Sequence, residues 1–193
     1  MPEINMNKKN ITLILIGIFM ISLRFMISIG PVIIDLTNDI IAFILIIVGV
    51  QGVANRNKMF KKTRINAYLG MIFAIAAQVI NCMNWGETAS TMHAIAYGLT
   101  TVFAIYFSYY FTEALILEAK FQDKSASTNS FNVTWLILSA AIFVHFMAFS
   151  SVTNTASLVV EAIIGICAIY YCSTVLTACK QLYMDGLPTK HML

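Results

Sequence analysis

Runs of about twenty mostly apolar residues recur six times along this chain, and that is the length an α-helix needs to cross a bilayer. In lipid a backbone N–H or C=O finds no water, so such runs close their hydrogen bonds internally as helices. The pattern predicts spans at about 11–29, 31–54, 66–84, 91–118, 133–150 and 156–182. Gly30 and Pro31 break the chain between the first two, and proline suits the first turn of the second. Polar connections at 84–90 and 122–132 separate the third span from the fourth and the fourth from the fifth. Six spans use nearly all of the 193 residues. The expected fold is therefore all-α: one domain, 1–193, built as a polytopic bundle of six transmembrane helices.

Composition points to lipid as the solvent. Hydrophobic residues make up 59% of the chain and charged residues 11%, with a mean hydropathy of +0.80, against about 25% charged residues in a soluble domain. Lys8 and Lys9 before an apolar run mimic a signal peptide. Arg24 interrupts that run and no small-x-small cleavage site follows, so the segment reads as a retained first helix. The cysteines carry little. Cys82 stands alone, and Cys167, Cys172 and Cys179 share one helix, whose rise of about 1.5 Å per residue forbids pairing. No CxxC or Cys/His metal spacing occurs, which leaves four packed thiols.

Orientation follows from the basic residues. Arg56, Lys58, Lys61, Lys62 and Arg64 follow the second span; Lys8 and Lys9 precede the first; Lys120 and Lys124 follow the fourth; Lys180 and Lys190 close the chain. The opposite connections contain no Lys or Arg. Positive residues stay on the cytoplasmic side, so the expectation is a multi-pass protein of the cytoplasmic (inner) membrane, N-in/C-in. A basic loop also attracts anionic lipid or nucleic acid. Beside two spans it reads as the topology signal, so the expected partner is the lipid bilayer and no nucleic acid.

Small residues and ionisable residues both mark the interior face of a membrane helix. They coincide on stripes with the helical period: Gly17, Arg24 and Ser28; Asp35, Asp39, Ala42 and Gly49; Gly70, Ala74, Ala77, Gln78, Asn81 and Trp85; Ala141, His145 and Ala148; Glu161, Gly165, Ala168, Cys172 and Cys179. With alternating direction, the polar members fall in the outer half of the membrane. The expected site is an outward-facing cavity formed by Arg24, Asp35, Asp39, Gln78, Asn81, Trp85, His93, Tyr97, His145 and Glu161. Each has a plainer reading. Asp35 and Asp39 would complement a helix N-terminus, Gln78 and Asn81 would be interhelical glue, His93 would be interfacial, and Arg24 would be half of a structural ion pair. His145 and Glu161 are hardest to explain so, because each lies below the interface on a small-residue stripe. Tyr106, Tyr109, Tyr110 and Glu113 form a second polar group, read as interfacial.

Three functions fit these residues. In the first, Arg24 holds a carboxylate or phosphate bidentately, an acidic residue holds an amine, and Tyr97 and Trp85 wall a site for a small polar, even zwitterionic, molecule that is bound or transported. No inverted repeat is evident, so transport would need an energising partner subunit or a homo-oligomer. In size and span count the chain resembles the substrate-binding subunits of energy-coupling-factor vitamin transporters. The likeness is architectural, because their alanine-rich small-xxx-small pattern is missing from residues 11–29. The second is an accessory, immunity or sensor subunit without catalysis. The third is an intramembrane metal-dependent hydrolase, with His93, His145 and Glu161 as the metal ligands; no HExxH motif supports it. No cofactor is named by the sequence.

Overall fold

The computed structural model describes residues 8–23, 26–29, 32–35, 39–124, 128–148 and 154–183. Along the chain these form α1 (Lys8–Ser22), β1 (Met26–Ile29), β2 (Val32–Asp35), α2 (Asp39–Gln51), α3 (Lys58–Cys82), α4 (Ala89–Phe121), α5 (Phe131–Ala148) and α6 (Asn154–Tyr183), with one 3-10 turn, Gly86–Thr88, leading into α4. Each helix packs on its neighbours in sequence, and α6 closes the ring against α1.

Among the described residues, three segments are long and apolar enough to cross a membrane: Lys58–Cys82, Gly86–Phe121 and Val159–Lys180. The other three helices, Lys9–Ser22, Asp39–Gln51 and Phe131–Met147, are apolar but shorter. The difference from six full-length spans lies mainly in the first two runs. Residues 26–29 and 32–35, expected inside helices, instead pair as antiparallel strands with Met26 opposite Asp35 and Ile29 opposite Val32. Their sequences, MISI and VIID, place β-branched residues on both sides of a Gly-Pro dipeptide. Such residues favour the pleated backbone, and Gly-Pro favours reversal over helix. Ser28 and Asp35 therefore stand on strands and do not extend the helical stripes of Gly17 and Asp39. The strand β2 lies against α3. The 13 residues of α2 cover about 20 Å, whereas the 25 of α3 cover about 37 Å, so the hairpin flanks the part of α3 that α2 does not reach.

Helix α3 shows how local sequence sets the packing. Asn57 caps its start, accepting from the backbone N–H of Met59 at 2.9 Å and of Phe60 at 3.0 Å. The same side chain donates to the Ala114 carbonyl at 3.0 Å, and the neighbouring Arg56 pairs with Glu118 at 3.1 Å. One short segment thus caps α3 and ties it to the far end of α4. The buried residues of α3, Phe60, Thr63, Ala67, Gly70, Ala74, Ala77 and Asn81, alternate by three and four, which makes one continuous face.

Glycine allows α1 and α2 to touch. A methyl at Gly17 would lie 2.8 Å from the Ala42 carbonyl oxygen, and one at Gly49 only 2.6 Å from that of Asn10. Gly49 and Gly52 both face Asn10 of α1. They serve internal packing.

The outer surface is apolar. Ile41, Ile44 and Val48 of α2, Ile65, Ile72 and Val79 of α3, Val133, Val144 and Met147 of α5, and Ile163, Ile166 and Ile169 of α6 are all exposed. Scattered exposed apolar residues are ordinary, but a belt on successive helices is not a water-facing surface.

Candidate functional site

Four helices bring polar side chains together at the end of the ring opposite the Asn57 cap. The α3–α4 connection is short, so the last turn of α3 and the first turns of α4 are neighbours. Asn81 on α3 receives a hydrogen bond from His93 of α4, with Oδ1 and Nδ1 2.9 Å apart. A carboxamide oxygen only accepts, so this contact fixes the proton on Nδ1 of His93. One helical turn later α4 presents Tyr97 on the same face. Its hydroxyl is hydrogen-bonded to Nδ1 of His145, near the end of α5. The other ring nitrogen, Nε2, stands 3.1 Å from Oε1 of Glu161, in the second turn of α6.

The result is a chain of three side chains on three helices: Tyr97, His145, Glu161. Tyr97 and Glu161 keep 3% and 5% of their surface, and His145 keeps 9%. With His145 neutral and protonated on Nε2, every proton has a destination. The tyrosine O–H donates to Nδ1, and Nε2–H donates to the carboxylate. An imidazole whose two nitrogens face different partners takes its tautomer from them. Moving one proton along this chain exchanges donor and acceptor at both nitrogens without moving a helix. Phe146 packs its ring edge-on to Tyr97, 5.6 Å between centroids, and lies over Gly98, which keeps the phenol in place.

The other expected members separate from this group. Asp39 is buried in the first turn of α2, where a carboxylate complements the helix dipole. Gln78 donates to the thiol of Cys82 on its own helix at 3.4 Å. The Trp85 indole donates to the Ile80 carbonyl at 2.8 Å, closing the end of α3. Arg24 lies outside the described residues, and the side chain of Asp35 is not among those described. Among the described residues, no three His, Cys, Asp or Glu side chains come together as metal ligands. His93 and His145 each have a ring nitrogen engaged by a different neighbour, Asn81 and Tyr97 respectively.

A second network links α4, α5 and α6. Tyr171 of α6 is fully buried, and its hydroxyl lies 2.7 Å from Oγ1 of Thr112, which itself donates to the Ser108 carbonyl at 2.8 Å. The indole of Trp135 donates to the Ser108 hydroxyl at 3.2 Å. Stepping along α6 from Glu161 by threes and fours gives Ile164, Ala168, Tyr171, Val175, Ala178 and Leu182, all buried. That arithmetic is available in the sequence and passes through Tyr171. Of the interfacial group, Tyr106 and Tyr109 are exposed and Tyr110 is half-buried, with the Lys62 ammonium 5.8 Å from the Tyr110 ring centroid.

A groove of about 330 Å³ opens between α1 and α6, and none of the expected site residues whose side chains are described lines it. The chain matches no protein-family model, no curated protein and no solved structure.

Proposed function

We propose that this chain is an integral membrane protein whose six helices all cross or enter the bilayer, N-in/C-in, and that it binds a small polar molecule in the outer half of the membrane at the Tyr97–His145–Glu161 chain. The apolar outer belt and the one-sided distribution of Lys and Arg support the topology. The single observation that carries the site is the buried contact between His145 and Glu161. Ionisable side chains at membrane depth are costly and mark ligand or proton paths. An incoming ammonium competes with His145 for the carboxylate of Glu161, and the released imidazole keeps its bond to Tyr97. A cation or zwitterion is the ligand class that such an exchange selects. Asn81 and His93, the latter one turn from Tyr97, add a donor and an acceptor beside it.

A second reading has its own support. The polar side chains of the cluster already partner one another, which suits an accessory or sensor subunit that uses them to fix helix packing. Native mass spectrometry in mild detergent separates the two. Under the binding reading, wild type retains a small polar molecule at one per chain, and Glu161→Gln loses it while keeping its thermal stability within about 1 kcal/mol. Loss of stability with no retained or exchangeable ligand in either protein favours the accessory reading. Topology is tested separately by an impermeant maleimide. Cys82, exposed at the end of α3, should react in intact cells, and a Lys61→Cys variant only after permeabilisation. The reverse pattern would invert the orientation.

A further inference from the structure

The groove between α1 and α6 has two matching walls. Thr12, Leu15, Ile16 and Phe19 line one side; Ile169, Cys172, Ser173 and Leu176 line the other. Both sets follow the spacing i, i+3, i+4, i+7, so each is one face of its helix. The polar atoms known on the α6 wall are turned away from the groove. The Ser173 hydroxyl donates to the Tyr170 carbonyl at 2.9 Å, and the Cys172 thiol donates to the Leu15 carbonyl at 3.6 Å. What remains is an apolar trough about 10 Å long, against about 15 Å for one leaflet of the hydrocarbon core.

Two cations stand at one end of it. Lys9 lies three residues before Thr12, and Lys180 lies four residues after Leu176; both are exposed. The spacing places each on its groove stripe: 9, 12, 16 and 19 on α1, and 169, 173, 176 and 180 on α6. The two lysines therefore flank the same mouth, on the side that the charge bias assigns to the cytoplasm.

We infer that this groove holds one acyl chain of an anionic phospholipid of the inner leaflet, with the headgroup phosphate between Lys9 and Lys180. The inference rests on the membrane reading above. An acyl chain leaving bulk lipid gains no hydrophobic free energy in an apolar groove, so the trough contributes shape and dispersion contacts. Selection among headgroups falls to the lysines, each strengthening anionic over neutral lipid by roughly fivefold.

The test uses full-length protein reconstituted in vesicles of equal parts phosphatidylglycerol and phosphatidylcholine, first floated on a density gradient and then released for native mass spectrometry. Co-flotation of the protein, with phosphatidylglycerol adducts exceeding phosphatidylcholine adducts about tenfold or more, is the expected result. The doubly substituted Lys9→Gln, Lys180→Gln protein should float equally well and lose that preference. Ser173→Trp, which fills the trough, should reduce adducts of both lipids. Co-flotation with equal retention of the two lipids would overturn the lipid site while leaving the membrane reading intact. Failure to float would overturn both. A dimer that retains neither lipid would place a second copy in the groove and overturn the proposal as well.

Discussion

Replacing His145 and Glu161 by leucine, singly and together, isolates the link between α5 and α6. The imidazole and carboxylate atoms lie 3.1 Å apart, with side-chain exposures of 11% and 6%, so little water screens them. Each single replacement removes more than this link. His145→Leu also deletes the ring nitrogen that meets the Tyr97 hydroxyl, and a double-mutant cycle subtracts such shared terms. A hydrogen bond between membrane helices is worth about 0.6 kcal/mol on average and about 1.7 kcal/mol at most. With His145 neutral, the link is a hydrogen bond to a buried carboxylate and lies at the upper end of that range. The coupling energy should therefore be about 1–2 kcal/mol. Reversible unfolding in mixed detergent micelles, followed by the fluorescence of Trp85 and Trp135, measures it. A coupling below about 0.3–0.5 kcal/mol, the range of independent sites, with both single variants folded, would refute a direct His145–Glu161 contact.

Other expectations follow from packing and capping. Gly49→Ala should destabilise the protein by about 1–3 kcal/mol in the same unfolding assay, because the added methyl meets the Asn10 carbonyl at 2.6 Å and overpacking forces the helices apart; an unchanged midpoint would mean α1 and α2 are not in such close contact. Asn57→Ala should cost about 1–2 kcal/mol by removing the α3 cap, with hydrogen exchange rising first at Met59 and Phe60. Tyr171→Phe keeps the ring and loses only the bond to Thr112, so a loss of about 1 kcal/mol is expected, and a loss above about 3 kcal/mol would assign Tyr171 a further partner.

The helices and their inner faces are legible in the sequence, because in lipid the two signals that mark an interior, small side chains and ionisable ones, fall on the same stripe. Asn81, His145 and Glu161 are all found that way and all are buried. The hairpin is not legible by the same means. Residues 26–29 and 32–35 are short apolar runs that satisfy a helical span and a strand equally, and hydropathy cannot choose between them. The choice is made by neighbours: α2 is too short to flank all of α3, and β2 packs where it ends. Gln78 and Trp85 share the stripe of Asn81, yet each bonds within its own segment, Gln78 to Cys82 and Trp85 to the Ile80 carbonyl. Tyr171 is the converse case. It follows from the three-four spacing of α6, which places its hydroxyl on the buried face beside Thr112.

The ring order also imposes a sequence of events in time. Contacts between α1 and α2, α3 and α4, and α5 and α6 join segments adjacent in the chain, so each hairpin is complete soon after its second helix leaves the ribosome. The α1–α6 contact joins the first described helix to the last and must wait until α6 has been made. Until that moment α1 presents Thr12, Leu15 and Phe19 to whatever else is near, including the lipids of the inserting membrane. A chain stalled before α6 would keep that side open, and the seam is where a quality-control protease or a chaperone would find unfinished copies. Among the six helices described, closure of the seam thus comes after every contact between sequence neighbours.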